Sequence, residues 1–179
     1  MKRITFLLSS IIIFCSVSLY SQDLKVTQEY DKFDKANKIT LKTMLSFDEN
    51  ESAGFMEANN LFLNPYLIIG ETDTTLTMNM RYASTKLKQF LMVKQYDKAK
   101  LLIDNKPFEV VALTASDTAS GDIVLENITY TFPKELAQAV STCKSFEMKI
   151  KGSKNTSSGK MDDDDLAILR KFLKKYYIK

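Results

Sequence analysis

The residues whose type and spacing most suggest chemistry are four consecutive aspartates at positions 162–165 of this 179-residue chain. Carboxylates can bind a divalent cation, so Asp162 and Asp165 are the candidate metal ligands. At about 100° per residue, however, the four side chains point around almost the whole circumference of a helix. At most two of them can share a face. A second interpretation is therefore favoured: Asp162 caps a C-terminal helix over residues 162–178, and the acids complement the positive end of its dipole.

The chain contains no histidine. This excludes Ser-His-Asp catalysis, Cys-His catalysis and histidine-ligated zinc. Cys143 lies on the apolar face of a predicted helix, which favours a small buried hydrophobe over a nucleophile. The chain also has no glycine-rich phosphate loop and no Gly-x-Ser-x-Gly elbow. We therefore predict no catalytic residue and no cofactor.

Paired carboxylates remain possible after these exclusions. A glycoside hydrolase needs only two acids on opposite sides of the scissile bond. Acids at turns or on solvent-facing strand positions usually serve as solvating charges, and all the candidates lie at such positions: Asp97, Asp104, Glu109, Asp122 and Glu126. A carboxylate-dependent hydrolase is accordingly the third of our hypotheses.

Two polar segments, residues 48–50 and 117–122, could contribute oxygen ligands to calcium. Both lack the alternating acids and the central glycine of an EF-hand loop, so solvated loops are favoured. Asn50, Asn127 and Asn155 begin Asn-x-Ser/Thr triplets, the pattern of N-glycosylation acceptors. Such triplets arise easily by chance, and they matter only where the modifying machinery is present.

The N-terminal residues have the three-part layout of a secretory signal peptide. Two basic residues precede an uncharged apolar run at residues 4–19, and small residues follow. Cleavage is predicted after Ser18 or Ser21. An uncleaved anchor is the alternative, but no basic flank follows the run to stop transfer. We expect residues 1–21 to be a cleaved signal peptide and the protein to be secreted or periplasmic.

The mature chain, residues 22–179, has the size and composition of one domain. Its 158 residues suffice for a substantial core. The whole chain has 25 basic and 22 acidic residues; loss of Lys2 and Arg3 leaves 23 against 22, a net charge of +1. This balance argues against a dedicated nucleic-acid binder. No membrane span is expected after cleavage. Cys143 would then be the only cysteine, so no internal disulfide can form.

Period-two alternation dominates residues 25–132 and predicts strands. In one strand four apolar side chains, Leu76, Met78, Met80 and Tyr82, are predicted to share the dry face. A hairpin is predicted around the turn at residues 104–106. Pro65 predicts a bulge or a local edge in its strand. These patterns indicate a mostly antiparallel protein.

One strand, residues 123–132, has an apolar pattern whose parity shifts near Glu126 and Asn127. The shift predicts a β-bulge, with Ile123 and Leu125 facing inward before it.

Later segments complete the predicted organisation. Residues 133–144 and 162–178 are predicted helices, with a strand between them, and residues 114–121 and 153–160 are predicted loops. Residues 84–97 fit either a helix or a strand. We therefore predict an α+β fold that is mainly β: an antiparallel β-sandwich or strongly curved sheet of about eight strands, with two C-terminal helices packed on it.

The chain contains three stretches in this order: "YDKFDKANKITLK", "KLLIDNKPFEV" and "ITYTFPKELAQAV...FEMKIKG...LAILRKFL". Their order of elements resembles that of a group of exported bacterial proteins. These are uncharacterised β-rich proteins that end in a strand-helix-strand-helix tail. The resemblance covers most of the mature chain, and its motifs are structural. It implies a similar fold and export, and it implies no activity.

These observations lead to three hypotheses of function. The first is an exported, non-enzymatic domain that binds a protein or glycan of the cell envelope. The second is a carrier of a small apolar ligand or lipid, for which the eight methionines of the chain would suit an adaptable pocket. The third is the carboxylate-dependent hydrolase.

Overall fold

The computed structural model describes residues 24–49, 59–84, 90–121 and 123–178; the predicted signal peptide lies outside these ranges. They contain ten strands and two helices. The elements are β1 (Val26–Asp31), β2 (Ala36–Leu41), β3 (Leu45–Glu49), β4 (Asn59–Ile69), β5 (Thr74–Ser84), β6 (Lys98–Ile103), β7 (Lys106–Ser120), β8 (Ile123–Phe132), α1 (Lys134–Thr142), β9 (Phe146–Lys151), β10 (Thr156–Met161) and α2 (Asp163–Tyr176).

Eight of the strands close into an antiparallel β-barrel. Their order around the ring is β3-β10-β9-β6-β7-β8-β5-β4, and β4 pairs with β3 to complete it. The predicted mainly β fold with two helices is confirmed, but the predicted β-sandwich is wrong. The reason is β4, which pairs along its whole length with β5 and on its other edge with β3. This double pairing joins what would have been two separate sheets.

The β1–β2 hairpin lies outside the ring. β4 pairs with β3 through residues 61–63 and with β2 through residues 66–69. Pro65 lies where the partner changes, so the local edge that it predicts is present on this side of the strand. The Asn64 side chain fills the gap, because its Nδ2 donates a hydrogen bond of 2.6 Å to the carbonyl of Leu41. Residues 42–44 therefore form a corner between β2, which lies outside the ring, and β3, which belongs to it.

Side chains fill the interior of the barrel, as expected for eight strands. The predicted inward row of β5 is confirmed, since its four members are at most 2% exposed. The other strands of the ring contribute buried apolar rows of the same kind: Leu45, Phe47, Leu61, Leu63, Leu67, Ala99, Leu101, Ile103, Val110, Ala112, Ile128, Tyr130, Phe132, Phe146, Met148, Ile150 and Met161.

The predicted parity of β8 is wrong. Val124 and Glu126 face inward together with the apolar residues that follow, and Ile123 is 50% exposed. No bulge is needed, because β8 pairs with β5 without interruption. The irregularity lies instead in β7, between Ala112 and Thr114. The error arose because a carboxylate was assigned to solvent, whereas Glu126 is 2% exposed.

Two predicted loops contain strands. Residues 114–121 belong largely to β7, which extends in a long hairpin with β8. Residues 153–160 contain most of β10, which pairs with both β9 and β3. At Gly159 an added Cβ would lie 2.8 Å from the carbonyl oxygen of Asp48 and 2.9 Å from Cβ of Phe47. Close contact with β3 therefore explains the small residue that made this strand resemble a loop.

One end of the barrel is closed by the helices, and we call it the helix end. β6, β8 and β10 run in the same direction, since an even number of antiparallel pairings separates them. α1 follows β8 and α2 follows β10, so both helices begin at the same end. Their buried face consists of Leu136, Val140, Leu166, Leu169, Phe172 and Leu173. Within the described ranges, no helix has the length and apolar composition required to cross a membrane.

The opposite end is closed by residues 90–93, which we call the plug. Leu91 is fully buried in the core. Residues 90–97 form neither a helix nor a strand, so both predictions for this part of the chain are wrong; residues 85–89 lie outside the described ranges. The turn between β9 and β10 packs against the plug, and the nitrogen of Lys154 donates to the carbonyl of Leu91 at 3.1 Å.

Candidate functional site

The two candidate metal ligands perform separate structural tasks. Oδ1 of Asp162 accepts a hydrogen bond of 2.8 Å from the nitrogen of Asp164, so Asp162 is the N-cap of α2, as predicted. Oδ2 of Asp165 accepts from the nitrogen and the Oγ of Ser46, at 2.6 and 2.8 Å, which fastens α2 to β3. In the described ranges, no group of three or more acidic, cysteine or histidine side chains is placed to hold a metal ion.

Two of the candidate catalytic carboxylates hold turns. Oδ2 of Asp97 accepts a hydrogen bond of 2.8 Å from the nitrogen of Lys94. Oδ1 of Asp104 accepts from the nitrogens of Lys144 and Ser145, at 2.8 and 2.9 Å, and so ties the β6–β7 turn to the segment after α1. These bonds give both acids a structural role.

Glu126 is the most deeply buried of the four candidate acids that the structure describes. Its carboxylate accepts hydrogen bonds from the nitrogens of Leu91 and Val93, at 2.6 and 3.2 Å, and so clasps the plug. Burial raises the pKa of Glu126, and the charge of Asp117 adds to the rise, while the backbone donors of the plug oppose it. The group therefore helps to close the barrel at the plug end.

Two other reactive side chains are also buried. Cys143 is 1% exposed, as predicted, and burial raises the pKa of its thiol. Such a thiol is mostly protonated at neutral pH. The Tyr130 hydroxyl lies inside the barrel, where burial raises its pKa and where it has no hydrogen-bond partner within the described ranges.

The described residues of the two Asx-rich segments fall mostly on strands. Asp48 belongs to β3 and Asp117 to β7, whereas Asn50 and Asp122 lie outside the described ranges. The two segments named as possible calcium loops are therefore at least partly strand.

The other two glycosylation candidates have amide groups that make hydrogen bonds. Oδ1 of Asn127 accepts from Nε of Arg81 at 3.1 Å. Nδ2 of Asn155 donates to the carbonyl of Phe90 in the plug at 2.7 Å.

One depression, which we call the lysine groove, has a volume of about 600 Å³ and crosses the outer face of β7, β6, β9 and β10. It is half open to solvent. The residues that line it are Lys100, Leu101, Leu102, Pro107, Phe108, Glu109, Glu147, Met148, Lys149, Ser158 and Gly159.

Two lysines face each other at the centre of the lysine groove. Strand register places Lys100 directly opposite Lys149, and Ser158 directly opposite Lys149 on the far side. Like charges directly opposite each other in a sheet destabilise it. The pair therefore concentrates positive charge in the groove at some cost to the fold.

The two acids of the lysine groove have lysines of their own. Nζ of Lys98 bonds Oε2 of Glu109 at 2.9 Å, and this hydrogen bond together with the charge of Lys98 lowers the pKa of Glu109. Register places Glu147 directly opposite Lys160. Register also places Glu109 directly opposite Lys100, whose charge contributes to the lowered pKa of Glu109. Lys149 lies opposite Lys100 and Ser158, so it has no acid directly opposite it and is the cation of the pair best placed to attract an anion.

An apolar patch lies beside the central lysines. Leu102, 40% exposed, is directly opposite Pro107 on this outer face. The groove therefore offers both a cationic and an apolar surface to a ligand.

A second depression, which we call the crease, has a volume of about 280 Å³ and lies where the β1–β2 hairpin leaves the ring. β4 and β5, which it borders, are half the ring away from β6 and β9, so the crease and the lysine groove are on opposite sides of the barrel. The crease is lined by Thr27, Thr40, Leu41, Lys42, Met44, Asn64, Asn79 and Arg81.

Sequence reasoning did not find either depression. Alternation does place Lys149 on the solvent face of its strand, but only the register of β6 against β9 brings Lys100 opposite it. The crease likewise depends on the corner at residues 42–44, which no turn residue announces.

Comparison of the chain with family models, with curated proteins and with solved structures found no match. The lysine groove and the crease are therefore interpreted from their own chemistry.

Proposed function

We propose that this protein is an exported, non-enzymatic binding domain whose lysine groove holds an acidic glycan of the cell envelope. The observation that carries this proposal is the pairing of Lys100 with Lys149 at the centre of the groove. Support for export comes from the signal-peptide layout of residues 1–21.

An acidic glycan suits the lysine pair because its charges repeat along a chain. Glu109, directly opposite Lys100, offsets part of the positive charge of the pair, and an anion beside Lys149 would add a second favourable interaction. Since the site is open to solvent, the attraction should weaken as salt concentration rises.

A glycan also suits the remaining lining. Sugar rings have one apolar face and many hydroxyl groups. Leu102 and Pro107 provide an apolar platform, and the hydroxyl of Ser158 can exchange hydrogen bonds with the sugar. The half-open form of the groove fits a chain that enters and leaves it.

The test is calorimetric titration of the purified protein with polygalacturonate, with dextran as the uncharged control. We expect polygalacturonate to bind and dextran not to bind. The double variant Lys100→Gln/Lys149→Gln should weaken binding by about tenfold or more, since each lysine contributes a charged contact. The control Lys174→Gln/Lys175→Gln removes the same charge from the exposed end of α2 and should bind normally.

Other results would change the proposal. Equal binding of the two double variants would remove the lysine groove as the site. Poly-glutamate binding more tightly than polygalacturonate would favour an acidic protein of the envelope as the partner.

The carrier hypothesis has one supporting observation, the apolar patch of Leu102 and Pro107 beside two cations. Because side chains fill the barrel interior, the carried molecule would be an amphiphile lying in the outer groove. Lipid that is extracted from the purified protein and identified by mass spectrometry would favour this alternative.

The hydrolase is less well supported. Glu109 and Glu147 both line the lysine groove, but a general acid needs a raised pKa, and Lys98 lowers the pKa of Glu109. Release of reducing ends during incubation with polygalacturonate would favour hydrolysis over binding alone.

A further inference from the structure

We infer that the crease is a second binding site, and that it takes a single sugar acid: a small molecule that carries one carboxylate and several hydroxyl groups. The inference does not depend on the lysine groove, which shares no lining residue with the crease and lies on the other side of the barrel.

The carboxylate partner is Arg81, whose guanidinium is fixed at one nitrogen. Its Nε donates a hydrogen bond of 3.1 Å to Oδ1 of Asn127, on the neighbouring strand β8. This bond sets the plane of the guanidinium, while the side chain as a whole lines the crease. A planar guanidinium matches a carboxylate through two parallel hydrogen bonds. Lys42 adds a second positive charge from the opposite wall.

Two amides between these cations can recognise hydroxyl groups. Asn64 and Asn79 are directly opposite each other on β4 and β5. Nδ2 of Asn64 donates to the carbonyl of Leu41 at 2.6 Å, so this bond assigns the amide orientation and leaves Oδ1 as an acceptor on the other side. The amide is thus held in place by the corner that forms the crease, before any ligand arrives.

The wall formed by the β1–β2 hairpin adds hydroxyl groups. Thr27 and Thr40 are directly opposite each other in that hairpin and line the crease together. A hydroxyl both donates and accepts, so the pair suits a polyhydroxylated ligand. No aspartate or glutamate is among the lining residues, so nothing in the lining repels a carboxylate.

The size of the crease limits the ligand. Its volume of about 280 Å³ is slightly below the range of about 300–1,000 Å³ that is usual for small-molecule sites. That volume suits one sugar ring better than an oligosaccharide. Charge, amides, hydroxyls and size thus agree on one sugar acid.

The test compares three probes by NMR titration of the isotope-labelled protein: galacturonate, galactose and acetate. Galacturonate should shift the side-chain amide signals of Asn64 and Asn79. It should also bind at least about tenfold more tightly than galactose, which lacks the carboxylate, and than acetate, which lacks the hydroxyl groups. Galactose that binds as tightly as galacturonate would overturn the carboxylate assignment. Acetate that binds as tightly would overturn the assignment of a sugar, and no binding of galacturonate would overturn the site itself.

Variants locate the binding on the protein. Arg81 and Lys42 are exposed, so Arg81→Gln and Lys42→Gln should fold normally. Arg81→Gln should weaken galacturonate binding by about tenfold or more, and Arg81→Lys should weaken it less, since it keeps the charge but loses the fork. Unchanged binding by Arg81→Gln would overturn the inference.

The variant Lys100→Gln/Lys149→Gln should bind galacturonate as the parent protein does. Failure of polygalacturonate to bind in the lysine groove would leave this result unchanged, so the two sites can fail separately. Loss of galacturonate binding in this double variant would place the ligand in the groove and overturn the inference.

Discussion

The two ends of the barrel are closed by different physical means. At the helix end the closure is mainly apolar: α1 and α2 bury leucine, valine and phenylalanine side chains against the core, and the Asp165 carboxylate adds two hydrogen bonds from Ser46. At the plug end the closure is polar: residues 90–93 are held by the Glu126 carboxylate, the Asn155 amide and backbone bonds from the β9–β10 turn.

The two ends should therefore respond to different perturbations. Apolar burial is tolerant of small shifts and is insensitive to pH near neutrality. A clasp made of hydrogen bonds in a tight space fails when the space changes, and here it contains a titratable group. The plug end is therefore best tested by added side-chain volume and by pH, and the helix end by removal of the N-cap of α2.

The largest expected effect is at Gly152, in the plug end. A Cβ added there would lie 1.8 Å from the carbonyl oxygen of Leu91 and 2.3 Å from its carbonyl carbon. Because both atoms are backbone, the plug itself must move. Gly152→Ala should lower the free energy of unfolding by about 3 kcal/mol or more, at the upper end of overpacking costs, as measured by urea denaturation.

Gly121→Ala is the matched control for volume. Gly121 has a φ of +60° but no atom within 4 Å of an added Cβ. It should cost only the conformational penalty, about 1 kcal/mol. Equal costs at the two glycines would show that the plug is not tightly packed.

A smaller effect is expected at the helix end. Asp162→Ala removes the acceptor for the nitrogen of Asp164 and should cost about 0.5 to 2 kcal/mol in a thermal or urea unfolding experiment. Asp163→Ala, which removes an acid from the first turn but no capping bond, should cost less. If Asp162→Ala bound calcium less well than the parent protein and was equally stable, the metal interpretation would replace the cap.

At Glu126 the expected effect is a dependence of stability on pH instead of a fixed loss of stability. Burial raises the pKa of Glu126 in the native protein above its usual value of 4.5. At a pH between 4.5 and the raised pKa, the native protein therefore keeps a proton on Glu126 that the unfolded chain has released. The contribution of Glu126 to stability should therefore be fully present below pH 4.5 and decline as pH rises through the raised pKa. The glutamine in Glu126→Gln cannot ionise. The free energy of unfolding of this variant, relative to that of the parent protein, should therefore increase as pH rises across this window.

Glu109→Gln provides the opposite sign in the same measurement. The pKa of Glu109 is lowered by Lys98, so its contribution is present above pH 4.5 and is lost as pH falls through the lowered value. Urea denaturation between pH 2 and 8 would show both trends, because the Glu109 window lies below pH 4.5 and the Glu126 window above it. A Glu126→Gln variant that follows the same trend as Glu109→Gln would contradict the raised pKa.

Local patterns predicted the individual elements better than their arrangement. The alternation of Leu76, Met78, Met80 and Tyr82 predicts their shared burial because a strand's two faces differ in period two. The turn at residues 104–106 was predicted because Asp and Asn tolerate positive φ, and Asp104 and Asn105 have φ values of 47° and 64°.

Closure of the barrel depends on pairs that are distant in sequence. β3 pairs with residues 61–63 of β4 and, more than 100 positions later, with β10. No local pattern encodes a partner at that distance. β10 was also hard to recognise because its inward positions include Ser157 and Gly159, whose small size reflects the contact with β3.

The candidate site was predictable only in part. The cap at Asp162 follows from local helix signals and was found. The lysine groove and the crease are products of register and of a corner in the chain, so their residues are unremarkable in sequence. Glu126 was assigned to solvent because a buried acid needs partners, and its partners lie some 35 residues away, at Leu91 and Val93.

The β1–β2 hairpin, which lies outside the ring, has a consequence for behaviour at high concentration. Among the described strands, β1 alone pairs with a single neighbour, so it presents unpaired backbone groups along one edge. Such an edge is a template for edge-to-edge aggregation. Glu29 and Asp31 are exposed on this strand, and pairing through β1 would bring the acids of two copies together. Their repulsion would help to keep the protein in solution as separate molecules.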